Sequence, residues 1–219
     1  TGLLVWLFSF RNFAVGTTYS KTEVVQIALL GFLILGDTLS AWAAMAIVIA
    51  FAGVVLLSMG QTRAGFGSLL AALTERPTLI GLACGAFLGA SVVFYRGATL
   101  SLDYDGPVMA AAYTLAVSVV IQTVLMGLYL AVRERHTLID VLINWRWSLP
   151  VGICGVLGSI GWFTAFAMQN AAYVRALGQI ELVFTFISSV LFFGERISRT
   201  EVLGIALVVA GIVMLILSR

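Results

Sequence analysis

Two stretches of this chain carry a carboxylate inside otherwise apolar sequence: Glu23 in SKTEVVQIALLGFLILGDTLS (20–40) and Glu181 in GQIELVFTFISSVLFFGERIS (178–198). A carboxyl group taken out of water favours its neutral form, so each could take up and release a proton or neutralise the amine of a bound molecule. An ionised carboxylate deep in a bilayer costs at least ~2.5–3.5 kcal/mol, so both are expected to face protein or water rather than lipid. Helical spacing puts Gly178, Glu181, Thr185 and Ser188 on one stripe, and Tyr19, Ser20 and Gln26 on the face of Glu23. The competing reading is a neutral or paired glutamate that only fixes helix packing. Arg175 could pair with a carboxylate across helices or bind a substrate carboxylate. Its place near a helix start favours snorkelling to the interface instead. Tyr113, Gln122, Trp162, Asn170 and Gln179 are further candidates for lining a cavity.

Other chemistry has little to stand on. The sequence contains no GxSxG, HExxH or phosphate-binding glycine loop, so no catalytic residue is assigned and an enzyme is not expected. With one histidine, and with Cys84 and Cys154 both inside apolar segments and read as small core residues, neither a metal nor a cofactor is expected. Asp103 and Asp105 fall in a DYDGP turn and read as solvated.

The elements that must position these residues are membrane helices. Of the 219 residues 61% are hydrophobic and 10% charged, against about 25% charged in soluble domains, and the mean hydropathy is +1.09. The chain is therefore an all-α polytopic membrane protein whose first partner is the lipid bilayer. A net charge of +2, with no basic block beyond RERH at 133–136, argues against nucleic acid. Polar punctuation predicts a partial span at 1–10, where the chain begins mid-helix, then spans at 17–35, 40–59, 77–95, 107–132, 148–167, 173–193 and 200–218. Short connections such as GDTLS and GERISRT require antiparallel hairpins. The connection 133–147 carries RERH and the Trp145/Trp147 pair of an aromatic belt.

The two glutamates are related by an internal repeat. Aligning Tyr19–Leu57 with Leu177–Leu215 without gaps gives 10 identities in 39, among them Glu23 with Glu181, Gly36 with Gly194, Ser40 with Ser198, and Ala52-Gly53 with Ala210-Gly211. The register extends upstream to Phe8, Asn12 and Ala14 against Phe166, Asn170 and Ala172. The Glu181 helix comes five spans after the Glu23 helix, an odd number, so the copies are expected to point in opposite directions. Inverted-topology repeats of this kind place a substrate site at the repeat interface near the bilayer midplane. The second copy starts near Pro77, and 77 − 158 is −81, so about 80 residues holding two spans and the start of a third are expected before Thr1.

A five-helix repeat closing on the turns LGDTLS and FGERIS, followed by LGIALVVAG (203–211) with AMAIVIAFAG (44–53) as its partner, resembles the EamA-type drug/metabolite transporters. The resemblance implies an inverted repeat of five-helix halves, ten helices when complete and about seven and a half here. Residues 1–59 would be the end of the first repeat, 60–76 a linker and 77–219 the second repeat. It also implies a multi-pass protein of the inner or plasma membrane that moves small metabolites, amino-acid-like or drug-like, by alternating access. Proton coupling would then fall to Glu23 or Glu181. Family members often carry proline where this chain has those glutamates. The alternative is a non-transporting membrane scaffold or sensor.

Glycines complete the pattern. Gly81, Gly85 and Gly89 repeat every four residues, and Gly152, Gly155, Gly158 and Gly161 every three. Small-xxx-small seams permit close helix approach. Both are expected inside the molecule, a homodimer seam being the alternative. Alternating loops put nine basic residues on one side and three on the other. The positive-inside rule then places the C-terminus outside, whereas the resemblance implies cytoplasmic termini.

Overall fold

The computed structural model describes Trp6, residues 19–62, Gly67, 75–102, 106–193 and 198–217. The partial span at 1–10 and the turn residues Asp103, Asp105 and Gly194 fall outside the described residues, apart from Trp6. In chain order the helices are α1 (Glu23–Leu30, prolonged by a π-helical turn, Gly31–Leu35), α2 (Ala41–Thr62), α3 (Arg76–Leu100), α4 (Pro107–Arg133), α5 (Arg135–Ile143), α6 (Trp145–Met168), α7 (Ala171–Gly178), α8 (Ile180–Phe193) and α9 (Arg199–Leu217). Six stretches among the described residues are long and apolar enough to cross a membrane, and Glu23–Leu35 is a shorter apolar helix. The chain is an all-α polytopic membrane protein.

The helices depart from the sequence expectation in two places. The connection 133–147 contains a nine-residue helix, α5, with no buried residue. The Arg146 guanidinium lies over the Trp145 ring, 5.9 Å from its centroid. The span predicted at 173–193 is two helices, because the chain turns at Gln179. Asn170 caps α7, its Oδ1 accepting from the Ala172 N–H at 2.9 Å. Of the cysteines, Cys84 is buried as expected while Cys154 is exposed.

The helices group into two compact units, residues 1–93 with 170–219, and residues 94–169. In the second unit Tyr95 packs against Phe163 with the rings tilted by 39° and their centroids 4.7 Å apart, and it accepts a 2.8 Å hydrogen bond at its hydroxyl from Gln122 Nε2. Arg96 donates to the carbonyls of Phe166 and Gln169, at 2.5 and 2.7 Å, and so satisfies the C-terminal end of α6.

The first unit is built on the contact of α2 with α9. A Cβ on Gly53 would lie 2.6 Å from the Val208 nitrogen and 2.7 Å from the Gly204 oxygen. A Cβ on Gly211 would lie 2.6 Å from the Ala50 nitrogen and 2.8 Å from the Ala46 oxygen. The backbones therefore touch, as in a small-residue membrane seam. Further along, Gly60 faces Ser198 and Glu201, so the contact number falls on α9 as it rises on α2. The two helices are antiparallel. The two glycine contacts are also related by the offset of the repeat: 53 + 158 = 211, 208 − 158 = 50 and 204 − 158 = 46.

Other duplicated residues have matching local roles. Ser40 Oγ accepts from the Ala43 N–H at 3.1 Å and starts α2. Ser198 Oγ accepts from the Glu201 N–H at 3.2 Å, while Glu201 accepts from the Ser198 N–H at 2.7 Å, a reciprocal capping box that starts α9. Gly36 closes the π-helical turn at φ 69°, where a side chain would be strained.

The two glycine ridges differ. On α3, Gly85 and Gly89 pack inside the molecule against α1: a Cβ would lie 2.9 Å from the Ser20 oxygen at Gly85 and 3.1 Å from Ile27 Cγ1 at Gly89. At Gly152, Gly155, Gly158 and Gly161 of α6 no described atom lies within 4 Å of a Cβ. Gly53→Ala and Gly211→Ala should each lower stability by about 1–3 kcal/mol, and by similar amounts. Gly155→Ala should be neutral or raise it by up to ~1 kcal/mol. Thermal unfolding in detergent micelles measures all three.

Candidate functional site

Both duplicated spans are interrupted one or two residues before their glutamate. In the first, the chain turns at Lys21-Thr22 and α1 begins at Glu23. In the second, it turns at Gln179 and α8 carries Glu181 in its first turn. Thr22 and Gln179, which close these turns, have nearly the same backbone, φ −63° ψ −8° and φ −63° ψ −9°. Ala171–Phe192 is a 22-residue candidate span, so Glu181 lies about 15 Å along it at 1.5 Å per residue, near the middle. Helix ends at that depth free backbone groups that lipid cannot satisfy.

Polar side chains sit at both turns. Thr22 Oγ1 donates to the Tyr19 carbonyl at 2.7 Å, and Gln26 Nε2 donates to Thr22 Oγ1 at 2.8 Å. Gln179 Nε2 reaches back to the Arg175 carbonyl at 3.4 Å. Each amide thus has a structural task, while the Oε1 atoms of Gln26 and Gln179 are buried with no hydrogen-bond partner among the described residues. Both are acceptors open to an N–H or O–H donor.

Charge completes the site. Glu23 is 4% exposed, and its Oε1 forms an ion pair with the Arg175 guanidinium. Arg175 therefore does not snorkel, because it has a buried carboxylate within reach on α1. The two partners sit at complementary helix ends. Glu23 opens α1, where the helix dipole is positive, and Arg175 lies in the last turn of α7, where it is negative. The helix ends offset part of the cost of taking both charges from water.

Glu181 is placed differently. It is exposed on α8 and has no ion pair among the described residues. Leu182 and Val183 face inward, against the cluster of Val54, Val208 and Ile212. Glu181 and Thr185 point away, Thr185 Oγ1 donating only to the Glu181 carbonyl at 2.8 Å, and Ser188 is half-buried. Tyr19 is half-buried beside the first turn. Tyr113 and Trp162 belong to the second compact unit: Tyr113 is exposed on α4, and Trp162 stacks on Phe166 with centroids 5.7 Å apart.

The EamA-like transporter family model matches residues 76–217, about two thirds of the chain. The chain belongs to the EamA-like transporter family. It is thus a multi-pass membrane transporter of the drug/metabolite type. No curated protein matches the chain.

Arg175→Leu should cost about 3–5 kcal/mol by stranding the buried Glu23 carboxylate, and Glu23→Leu/Arg175→Leu together should recover most of that loss. Glu181→Gln should change stability by less than about 0.5 kcal/mol. Unfolding of the purified variants in one detergent gives the comparison.

Proposed function

We propose that this EamA-like protein carries small metabolites, amino-acid-like or drug-like, across the inner or plasma membrane by alternating access between two inverted halves, and that Glu23 couples proton movement to substrate movement. The observation that carries the reading is the buried Glu23–Arg175 pair at two corresponding helix breaks. Discontinuous helices whose ends meet charged groups near the midplane are the usual form of a secondary-transport site. The antiparallel α2–α9 seam, with glycine contacts related by the repeat offset, supports the inverted arrangement.

The pair supplies a coupling chemistry. While Arg175 neutralises Glu23, neither charge needs a ligand. When the halves move and the pair parts, the carboxylate is left in a poorly solvated place, where a proton or a substrate ammonium must replace the guanidinium. The buried amide oxygens of Gln26 and Gln179, without a hydrogen-bond partner among the described residues, would accept donors from the same substrate. Glu181, exposed and without an ion pair among the described residues, is not needed for this step.

Reconstituted full-length protein offers the test, with a panel of radiolabelled amino acids and the cationic dye ethidium as probes. Glu23→Gln should lower flux by at least about tenfold, the lower range for loss of a positioned proton-transfer group. It should also abolish the rise in rate as pH falls on the proton-entry side. Glu181→Gln should keep both rate and pH profile. A folded Glu23→Gln protein with wild-type flux and pH profile would remove the coupling role. Normal flux with lost stability would leave Glu23 a packing residue.

A further inference from the structure

The structural residues of the repeat work in pairs, but the ion pair does not. Gly53 and Gly211 make corresponding contacts, and Ser40 and Ser198 cap corresponding helices. If the ion pair followed the same symmetry, Glu23–Arg175 would have a counterpart joining 23 + 158 = 181 to 175 − 158 = 17. Position 181 is a glutamate, but position 17 is Thr17, which has no charge. In agreement, Glu181 is exposed and forms no ion pair among the described residues, while Glu23 is buried and paired.

An asymmetric pair has a consequence in a protein made of two inverted copies. Exchange of the conformations of the two copies converts a state open to one side into the state open to the other. Contacts formed by residues present in both copies survive the exchange, since each is replaced by its counterpart. The α2–α9 seam is of that kind and gives no preference between the states. The Glu23–Arg175 contact is replaced by Glu181 with an uncharged residue, so it is lost. A charge pair that exists in one state alone shifts the equilibrium toward that state by its whole differential free energy.

We infer that the Glu23–Arg175 pair is a one-sided latch, which holds the transporter in the conformation seen here against its repeat-exchanged counterpart and sets the resting side from which substrate must enter. The inference rests on the inverted-repeat reading above. It assigns Arg175 a role that the flux of the Glu23 variant alone does not test, namely the bias between the two states before any substrate binds.

The repeat supplies its own reference for the measurement. Leu33, Met45, Leu191 and Leu203 are all exposed, and 33 + 158 = 191 while 45 + 158 = 203. Exchange of the two conformations therefore interchanges the 33–203 distance with the 191–45 distance. Spin labels on cysteines at these pairs, in the full chain with Cys84→Ala and Cys154→Ala and reconstituted without substrate, give both distributions by pulsed electron–electron double resonance. The latch predicts that each pair has its own dominant distance, with the other pair's distance as a minor component. Glu23→Gln and Arg175→Gln should raise that minor component relative to the major by about tenfold or more, and Glu181→Gln should leave the ratio unchanged. Equal changes in Glu23→Gln and Glu181→Gln, or no change in either, would overturn the latch. So would equal populations of both components in the protein with its ion pair intact, a result that needs no latch variant to fold. If the two pairs never share a component, the exchange itself does not occur, and the inverted-repeat reading fails together with the latch.

Discussion

Two membrane helices can touch backbone to backbone only where neither puts a side chain between them. The rest of the first compact unit depends on that constraint at α2 and α9. Lipid offers no hydrophobic drive to bring helices together, so the contact must come from close packing of small residues. Gly53, Gly204 and Gly211 meet it, with Ala46 and Ala50 as the tolerated alternatives. Against this pair lie Leu177, Leu182 and Val183 beside the turn at Gln179. Gly85 and Gly89 then let α3 close on the turn before Glu23. The ion pair is thus placed by a chain of close contacts, each requiring the absence of a side chain.

Duplicated residues in this chain divide into two kinds. Those that serve geometry, the cap serines and the seam glycines, have the same task in both copies, since both copies have the same geometry to maintain. The glutamates share a position at the start of a helix, where the dipole tolerates a carboxylate. That shared position accounts for both being present. Their surroundings then diverge: one carboxylate is buried against Arg175 and the other is exposed. Only the first has its charge held in a state that movement could change.

Much of the fold was legible in the sequence, because apolar span length is a local property. The spans read from polar punctuation differ from the helices by a few residues, and the turn residues Ser40 and Ser198 mark helix starts in both. The interruption at Gln179 was not legible. Nothing in RALGQIELV breaks a helix outright, and Gly178 is tolerated in membrane helices. Within the site, Glu23 was found because a carboxylate in apolar sequence is conspicuous. Its partner was passed over because the pair joins residues 152 apart, beyond any periodicity, and Arg175 alone has the position of a snorkelling residue.

The account turns on the two copies being opposite in the membrane, and the orientation of their connections tests that most directly. Thr38, before α2, and Thr200, at the start of α9, are both exposed. Single cysteines at these positions, in intact cells with Cys84→Ala and Cys154→Ala, can be labelled with a membrane-impermeant maleimide before and after permeabilisation. The inverted arrangement predicts that one position labels from outside and the other only after the membrane is opened. Labelling of both from the same side would contradict it.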